Sequence, residues 1–402
     1  MTHFMTKRQI INLQEIKYFR YISALKTLKK PCMKTVPLKS DTHHRLYSLD
    51  VLRGFDMFWI TGGEYIALII AQMTGWVWLG SQMDHVSWNG FHFYDLIFPL
   101  FMFISGVAIP FAIESKLEKS VPQKKLVRKA LVRFLILVFL GIMYNGALQH
   151  GFSNARYASV LGQIGFGYFF ATLIIIYIRS PRNRLFWLAG ILIFVSLMQL
   201  LYPVPGIGSG VLTPEGCVNG YFDRLFLPGK LYRDVFDPEG LLCNISAIGI
   251  TLMGTFAGNI LRKKQEGDWK KITKLAITGT ALIIIGLVAS IWYPVIKSAW
   301  TTTFNLLAGG ISFLLIALFF MVVDHWKVRK WTFYFRVIGL NSIFVYLFTR
   351  IVNVEPISRF FTGWLAKLFS EQAGQLIVGF GGLAIIWGVL YFLYKKEVFV
   401  RI

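Results

Sequence analysis

FHFYDLIFPLFMFISGVAIPFAIE, residues 91–114, is the stretch that decides the fold. Between Asp95 and Glu114 it carries no charge, and about 20 apolar residues at ~1.5 Å rise each make a helix long enough to cross a bilayer. The same texture recurs along the chain. Apolar runs occupy 48–72, 130–149, 157–178, 184–203, 241–261, 272–294, 302–323, 337–352 and 373–394, separated by short charged or Gly/Pro-bearing connections. Backbone polar groups in lipid need partners inside their own segment, so runs this apolar are predicted to be helices. The expected fold is an all-α, polytopic transmembrane bundle of about ten helices (ten or eleven). The segment 353–372 reads as a short interfacial helix, with Trp364 and Lys367 near the headgroups.

Composition agrees. Of 402 residues 55% are hydrophobic and only 15% charged, with a mean hydropathy of +0.57. A net charge of +22 would suit a nucleic-acid binder. Here, however, the Lys and Arg residues lie between apolar runs rather than on one soluble face, so no nucleic-acid partner is expected. Sorting them by side gives a split of roughly four to one, which predicts both termini in the cytosol. The connections 73–90 and 204–240 then face outside. Residues 1–44 read as a basic cytosolic arm lacking the apolar core of a cleavable signal, with 1–32 either floppy or upstream of the true start at Met33; residues 45–402 form the single membrane domain. Cys32, Cys217 and Cys243 have no metal-ligand spacing; no metal is expected, and a Cys217–Cys243 bridge is left open.

Charges inside apolar runs are costly and mark cavities or ion pairs. In the first span Asp50, Arg53 and Asp56 share one helix face, either as a structural ion network or, through Arg53, as a contact for an acyl donor. Gly62-Gly63-Glu64 reads as a helix break near the outer end, or as backbone amides and a carboxylate offered to a substrate. The densest constellation is MDHVSWNGFHFYDLIFP, residues 83–99. His85 is placed to accept a proton near neutral pH and Asn89 to donate to an oxyanion, while Asp95, expected about two turns into the span, pairs with a histidine such as His92 one turn away. Trp88 stands beside them as a substrate contact. Asp237-Pro238-Glu239-Gly240 fits the capped start of the sixth span, with Asp237 as N-cap, and also offers two carboxylates to a substrate. Asn341-Ser342 puts an amide and a hydroxyl inside the ninth span. Lys124, Lys125, Arg128 and Arg133 form a basic stretch able to meet phosphates.

Four stretches together resemble the heparan-alpha-glucosaminide N-acetyltransferase family, and more closely its bacterial relatives of unassigned function. They are RLYSLDVLRG at 45–54, His85 to Pro99 with its His-x-x-Trp-Asn-Gly core, Asp237–Gly240 with Ala257-Gly258, and GLNSI at 339–343; Pro294 to Trp300 is a weaker fifth. The resemblance implies an acetyl-CoA-dependent acyltransferase of a bacterial inner membrane. It would carry acetyl from the cytosolic donor to the amine of a glucosamine-type sugar outside, with a homodimer allowed. It also implies that His85 is the essential histidine; on the chemistry of the residues themselves, Asn89 and Asp95 are expected to assist it. Gly62, Gly63, Glu64, Trp88, Gln163, Asp237, Glu239, Asn341 and Ser342 would bind the acceptor, and Arg53, Lys124, Lys125, Arg128 and Arg133 the donor. Where the family has arginine in Val-Leu-x-Arg-Ile, this chain has Gln163, so the resemblance does not extend to an anionic glycan. An amino-sugar permease and an O-acyltransferase of cell-envelope glycans are the alternative readings.

Overall fold

The computed structural model describes residues 46–400; the N-terminal arm 1–44, Arg45 and Cys32 lie outside the described residues. Regular structure among the described residues is helical, apart from two isolated bridge pairs. The long helices are α1 (Tyr47–Thr74), α2 (Phe93–Glu118), α3 (Gln123–Tyr144), α4 (Val160–Tyr177), α5 (Pro181–Leu201), then after a short α6 (Val218–Phe226), α7 (Leu241–Arg262), α8 (Asp268–Ala289) and α9 (Thr302–His325). Helices α10 (Thr332–Leu340) and α11 (Ser342–Ile351) follow, then α12 (Val354–Ala366) and α13 (Glu371–Lys395).

Eight of these helices are long and apolar enough to cross a membrane. The α10–α11 pair makes a ninth, bent by 77° at Asn341, and corresponds to the predicted run 337–352. Helix α3 is equally long but carries Lys124, Lys125, Arg128, Lys129 and Arg133 in its first half. The polytopic helical bundle read from the sequence is therefore the architecture observed, and α12 occupies the predicted helix at 353–372, with Trp364 and Phe360 exposed.

Helices in lipid gain little from mutual apolar burial, because the tails are as apolar as leucine; they associate through close packing and interhelical hydrogen bonds. Gly106 of α2 lies on the Thr251 carbonyl of α7, and Gly254 of α7 lies on the Phe103 carbonyl of α2, so a side chain at either position would push the two helices apart. Gly54 of α1 and Gly339 of α10 make the same reciprocal approach. These contacts hold α1, α2, α7 and α10 around one centre.

Helix α1 is interrupted at Trp59–Gly63 by a π-turn whose Gly62 adopts φ +137°, a conformation open mainly to glycine. The break expected at Gly62-Gly63 is present. A Cβ at Gly62 would meet the side chain of Leu383 on α13, and one at Gly63 the ring of Phe58 in α1 itself.

The connections 75–92, 145–159, 202–240 and 290–301 meet at one end of the bundle. Trp88 Nε1 donates to Leu212 O at 2.6 Å, the Gly90 amide donates to Val295 O at 2.8 Å, and Arg156 pairs with Asp237 and Glu239. At the opposite end Glu114 takes Arg184 at 2.5 Å and Arg262 at 3.4 Å, fastening α2, α5 and α7 together.

Candidate active site

The site is built on the first turn of α2. Because that helix begins at Phe93, Asp95 stands in its first turn, at the mouth of the bundle, rather than two turns within it. Its carboxylate is almost fully buried, and its two oxygens divide their work. Oδ2 accepts the backbone amides of His92 at 3.0 Å and Val86 at 3.4 Å, closing the start of the helix. Oδ1 accepts His85 Nδ1 at 2.8 Å and Lys297 Nζ at 3.2 Å.

The histidine paired with Asp95 is thus His85. The ring of His92 turns away, its Nδ1 3.0 Å from the Asp84 carbonyl, which corrects the expected His92–Asp95 pairing; the one-turn spacing is met through the backbone amide instead. The carboxylate on Nδ1 fixes the imidazole with its proton on that nitrogen and leaves Nε2 as the acceptor. Half of the His85 side chain is exposed, while Asp95 beneath it is 1% exposed, so an orienting carboxylate stays dry under an accessible base.

Lys297 is the residue that sequence reasoning missed. It lies inside Pro294 to Trp300, the weakest of the five resembling stretches. It comes from the connection between α8 and α9, about 200 residues downstream, and no local pattern announces the meeting. The connection is firmly held. Gln199 and Asn219 both donate to Ala299 O, at 2.7 and 3.1 Å, Ser246 Oγ donates to Trp300 O at 2.6 Å, and the Trp300 side chain is buried. Lys297 Nζ lies 2.9 Å from Nδ1 and 3.3 Å from Nε2 of His85. Burial lowers its proton affinity below the ordinary lysine range, against the opposing pull of Asp95.

A cavity of about 280 Å³ opens beneath this triad. His85, Tyr94, Glu239 and Lys297 form its polar end, and Met57, Ile60, Ile97, Phe98, Phe101, Leu161, Ile164 and Ile343 its apolar body. Ser342 and Tyr346 line it as well. Glu239 belongs to an ion cluster in which Arg156 Nε and Nη2 hold Asp237 at 2.7 and 2.6 Å, and Nη2 also reaches Glu239. Burial pushes the Glu239 carboxyl up to about 7, with Arg156 opposing and Asp237 reinforcing the rise. Asp237 is not the cap of α7. That helix begins at Leu241, whose amide donates to Asp223 at 2.9 Å, and Asp237 is spent on Arg156 and on the amides of Tyr232 and Glu239. Asp223 itself is buried, and burial pushes it up to about 7.

The other expected site residues sit elsewhere. Asn89 is exposed and does not line the cavity; nor does Trp88, which packs on Phe236. Glu64 faces the Tyr94 hydroxyl. Gln163 is buried between α4 and α7, its amide donating to Cys243 O at 3.1 Å. Asn341 marks the α10–α11 bend and holds the C-terminal segment through Val398 O and the Val400 amide, at 3.2 and 2.8 Å. Asp50 and Arg53 approach at 3.9 Å, whereas both carboxylate oxygens of Asp56 are buried without a hydrogen-bond partner among the described residues. Arg133 stacks on Tyr168 at 4.1 Å, and Lys124, Lys125 and Arg128 stand at the start of α3, roughly 30 Å along its axis from the Tyr144 end. Cys217 and Cys243 are free thiols. Among the described residues no cluster suited to a metal ion is present.

Fold and site together define a multi-pass helical membrane protein with a His–Asp–Lys centre at one mouth of its bundle. No family model matches the chain. The chain is similar to heparan-alpha-glucosaminide N-acetyltransferase from Mus musculus, 28% identical over 376 residues covering 79% of this chain and 56% of the relative. It is similar to the Homo sapiens protein of the same name, 27% identical over 424 aligned positions covering 89% of this chain and 60% of that relative. The resemblance read from the motifs therefore holds over most of this chain, which spans little more than half the length of those relatives.

Proposed function

We propose that this chain is an N-acetyltransferase that takes acetyl from acetyl-CoA and places it on the amine of a glucosamine-type sugar, donor and acceptor meeting from opposite faces of the membrane. The observation that carries the reading is the oriented imidazole of His85, backed by buried Asp95, at the polar end of a cavity whose body is apolar. The name of both relatives supports it. The charge split between connections supports cytosolic termini, which would put His85 on the extracytoplasmic side, in a bacterial inner membrane.

The chemistry suits the geometry. An amine attacks a thioester only as the free base, and the tetrahedral intermediate develops an oxyanion. His85 Nε2 would take the proton from the attacking nitrogen and return it to the departing thiolate, with Asp95 stabilising the imidazolium between the two events. The apolar walls around Phe98, Phe101 and Leu161 would shelter the thioester arm and exclude water, which would otherwise hydrolyse it. Glu239, at the same end, is placed to meet an amine on the acceptor.

The test is direct. Detergent-purified protein is incubated with acetyl-CoA and glucosamine, and free thiol and N-acetylglucosamine are both measured. Equal amounts of the two, each dependent on both substrates, are expected. Sugar uptake into vesicles without any thiol release would instead identify a permease, and acetyl esters without amide would identify an O-acyltransferase.

A further inference from the structure

We infer that Lys297 binds the oxyanion of the tetrahedral intermediate, a role neither the sequence motifs nor the relatives' name assigns; the inference rests on the acyl-transfer reading above. An ammonium has three donors. Nζ lies 3.2 Å from Asp95 Oδ1 and 2.9 and 3.3 Å from His85 Nδ1 and Nε2, so Asp95 takes one donor and the imidazole edge sits against a second; the group also lines the cavity, which leaves the third for the space where a thioester carbonyl must lie for His85 to serve the attacking amine.

The other polar groups of that cavity are less suited to an oxyanion. Tyr94 faces Glu64, the Tyr346 hydroxyl meets Tyr144, Glu239 is an acid paired with Arg156, and the Ser342 hydroxyl is a neutral donor. Asn89, the oxyanion donor expected from sequence, is outside the lining. Lys297 is the cation among the lining residues. The hydrogen bonds at Ala299 and Trp300 hold its connection in place before substrate arrives, which is what makes an electrostatic stabiliser effective.

The step balances. The amine lone pair forms the C–N bond while the carbonyl π pair moves onto oxygen, against Lys297 Nζ. His85 accepts the nitrogen's proton. Collapse restores the carbonyl, breaks the C–S bond, and the thiolate takes the proton back from His85, giving amide and free CoA thiol. Lys297 changes no bond; Asp95 opposes its deprotonation and holds it in place.

The test uses full-length purified protein with acetyl-CoA and glucosamine, with wild type and His85→Ala as references. Lys297→Met should lower kcat by about 10²–10³-fold in the folded protein, with the KM for acetyl-CoA within about threefold of wild type. Lys297→Arg should keep a large part of the rate. Lys297→Cys alkylated with 2-bromoethylamine, which rebuilds an ammonium, should regain at least about tenfold over the unmodified variant, with wild type carried through the same alkylation. The pH profile gives a further readout. The groups facing Lys297 are Asp95, His85 and Glu239, and the alkaline limb should begin below the ordinary lysine range and move upward in Lys297→Arg. Retained kcat in Lys297→Met, or a folded Cys variant that regains nothing on alkylation, overturns this inference alone. A wild type that releases no thiol, or a His85→Ala as active as wild type, overturns the acyl-transfer reading with it.

Discussion

Replacing His85 with alanine is expected to lower the rate of acetyl transfer by about 10²–10⁴-fold, the range in which a positioned general base contributes. The side chain is half exposed, and Asp95 keeps Lys297 as a partner when the imidazole is gone, so the variant should fold. The loss should therefore appear in kcat rather than in the KM for acetyl-CoA, since the imidazole acts on the amine and the leaving group and not on the body of the donor. Asp95→Asn should show a smaller kinetic loss combined with a lower melting temperature, because Oδ2 also closes the first turn of α2. Steady-state kinetics with a thiol reagent measures both. An unchanged kcat in His85→Ala would remove the base from the mechanism.

The largest effect on stability is expected from Arg156→Met. This change leaves Asp237, fully buried, and Glu239, nearly so, with no guanidinium between them. Breaking a buried pair by deleting one partner costs about 3–5 kcal/mol, because the remaining charge is uncompensated. The cost should depend on pH in a defined direction. Glu239 is an acid whose folded-state proton affinity already exceeds its unfolded one, so its neutral form stabilises the fold, and that contribution is lost as pH rises through about 7. Removing Arg156 raises the affinity further. The melting-temperature gap between wild type and variant should be widest in alkaline buffer and narrow as pH falls toward neutrality. A gap that widens on acidification would contradict this account of the cluster.

The fold was legible because its signal is long and redundant. A run such as 91–114 has one physical solution in lipid, and charge asymmetry needs only sums over connections. The bend at Asn341 was not legible, since the run 337–352 looks like any other apolar segment and its 77° turn depends on how Asn341 is satisfied by the C-terminal residues. At the site, residues close in sequence were readable and distant partners were not. His85 and Asp95 share one segment, and a ten-residue separation across a helix start lets one cap and orient the other. Lys297 and Arg156 reach the same mouth from separate connections, one held by Gln199, Asn219 and Ser246 and the other by Asp237 and Glu239. Asp237 shows the converse error. Its Asp-Pro-Glu-Gly context reads as a cap, yet Asp223 from another helix takes that work and frees Asp237 to meet Arg156.

The central claim is that an imidazole at one mouth of the bundle acts on an acyl group delivered from the other. Sealed proteoliposomes of uniform orientation, with acetyl-CoA confined to the side of the termini and glucosamine to the other, measure it most directly. The account predicts N-acetylglucosamine accumulating on the glucosamine side and free CoA thiol on the donor side in equal amounts, both abolished by His85→Ala. Product formed only when the two substrates share a compartment would contradict it.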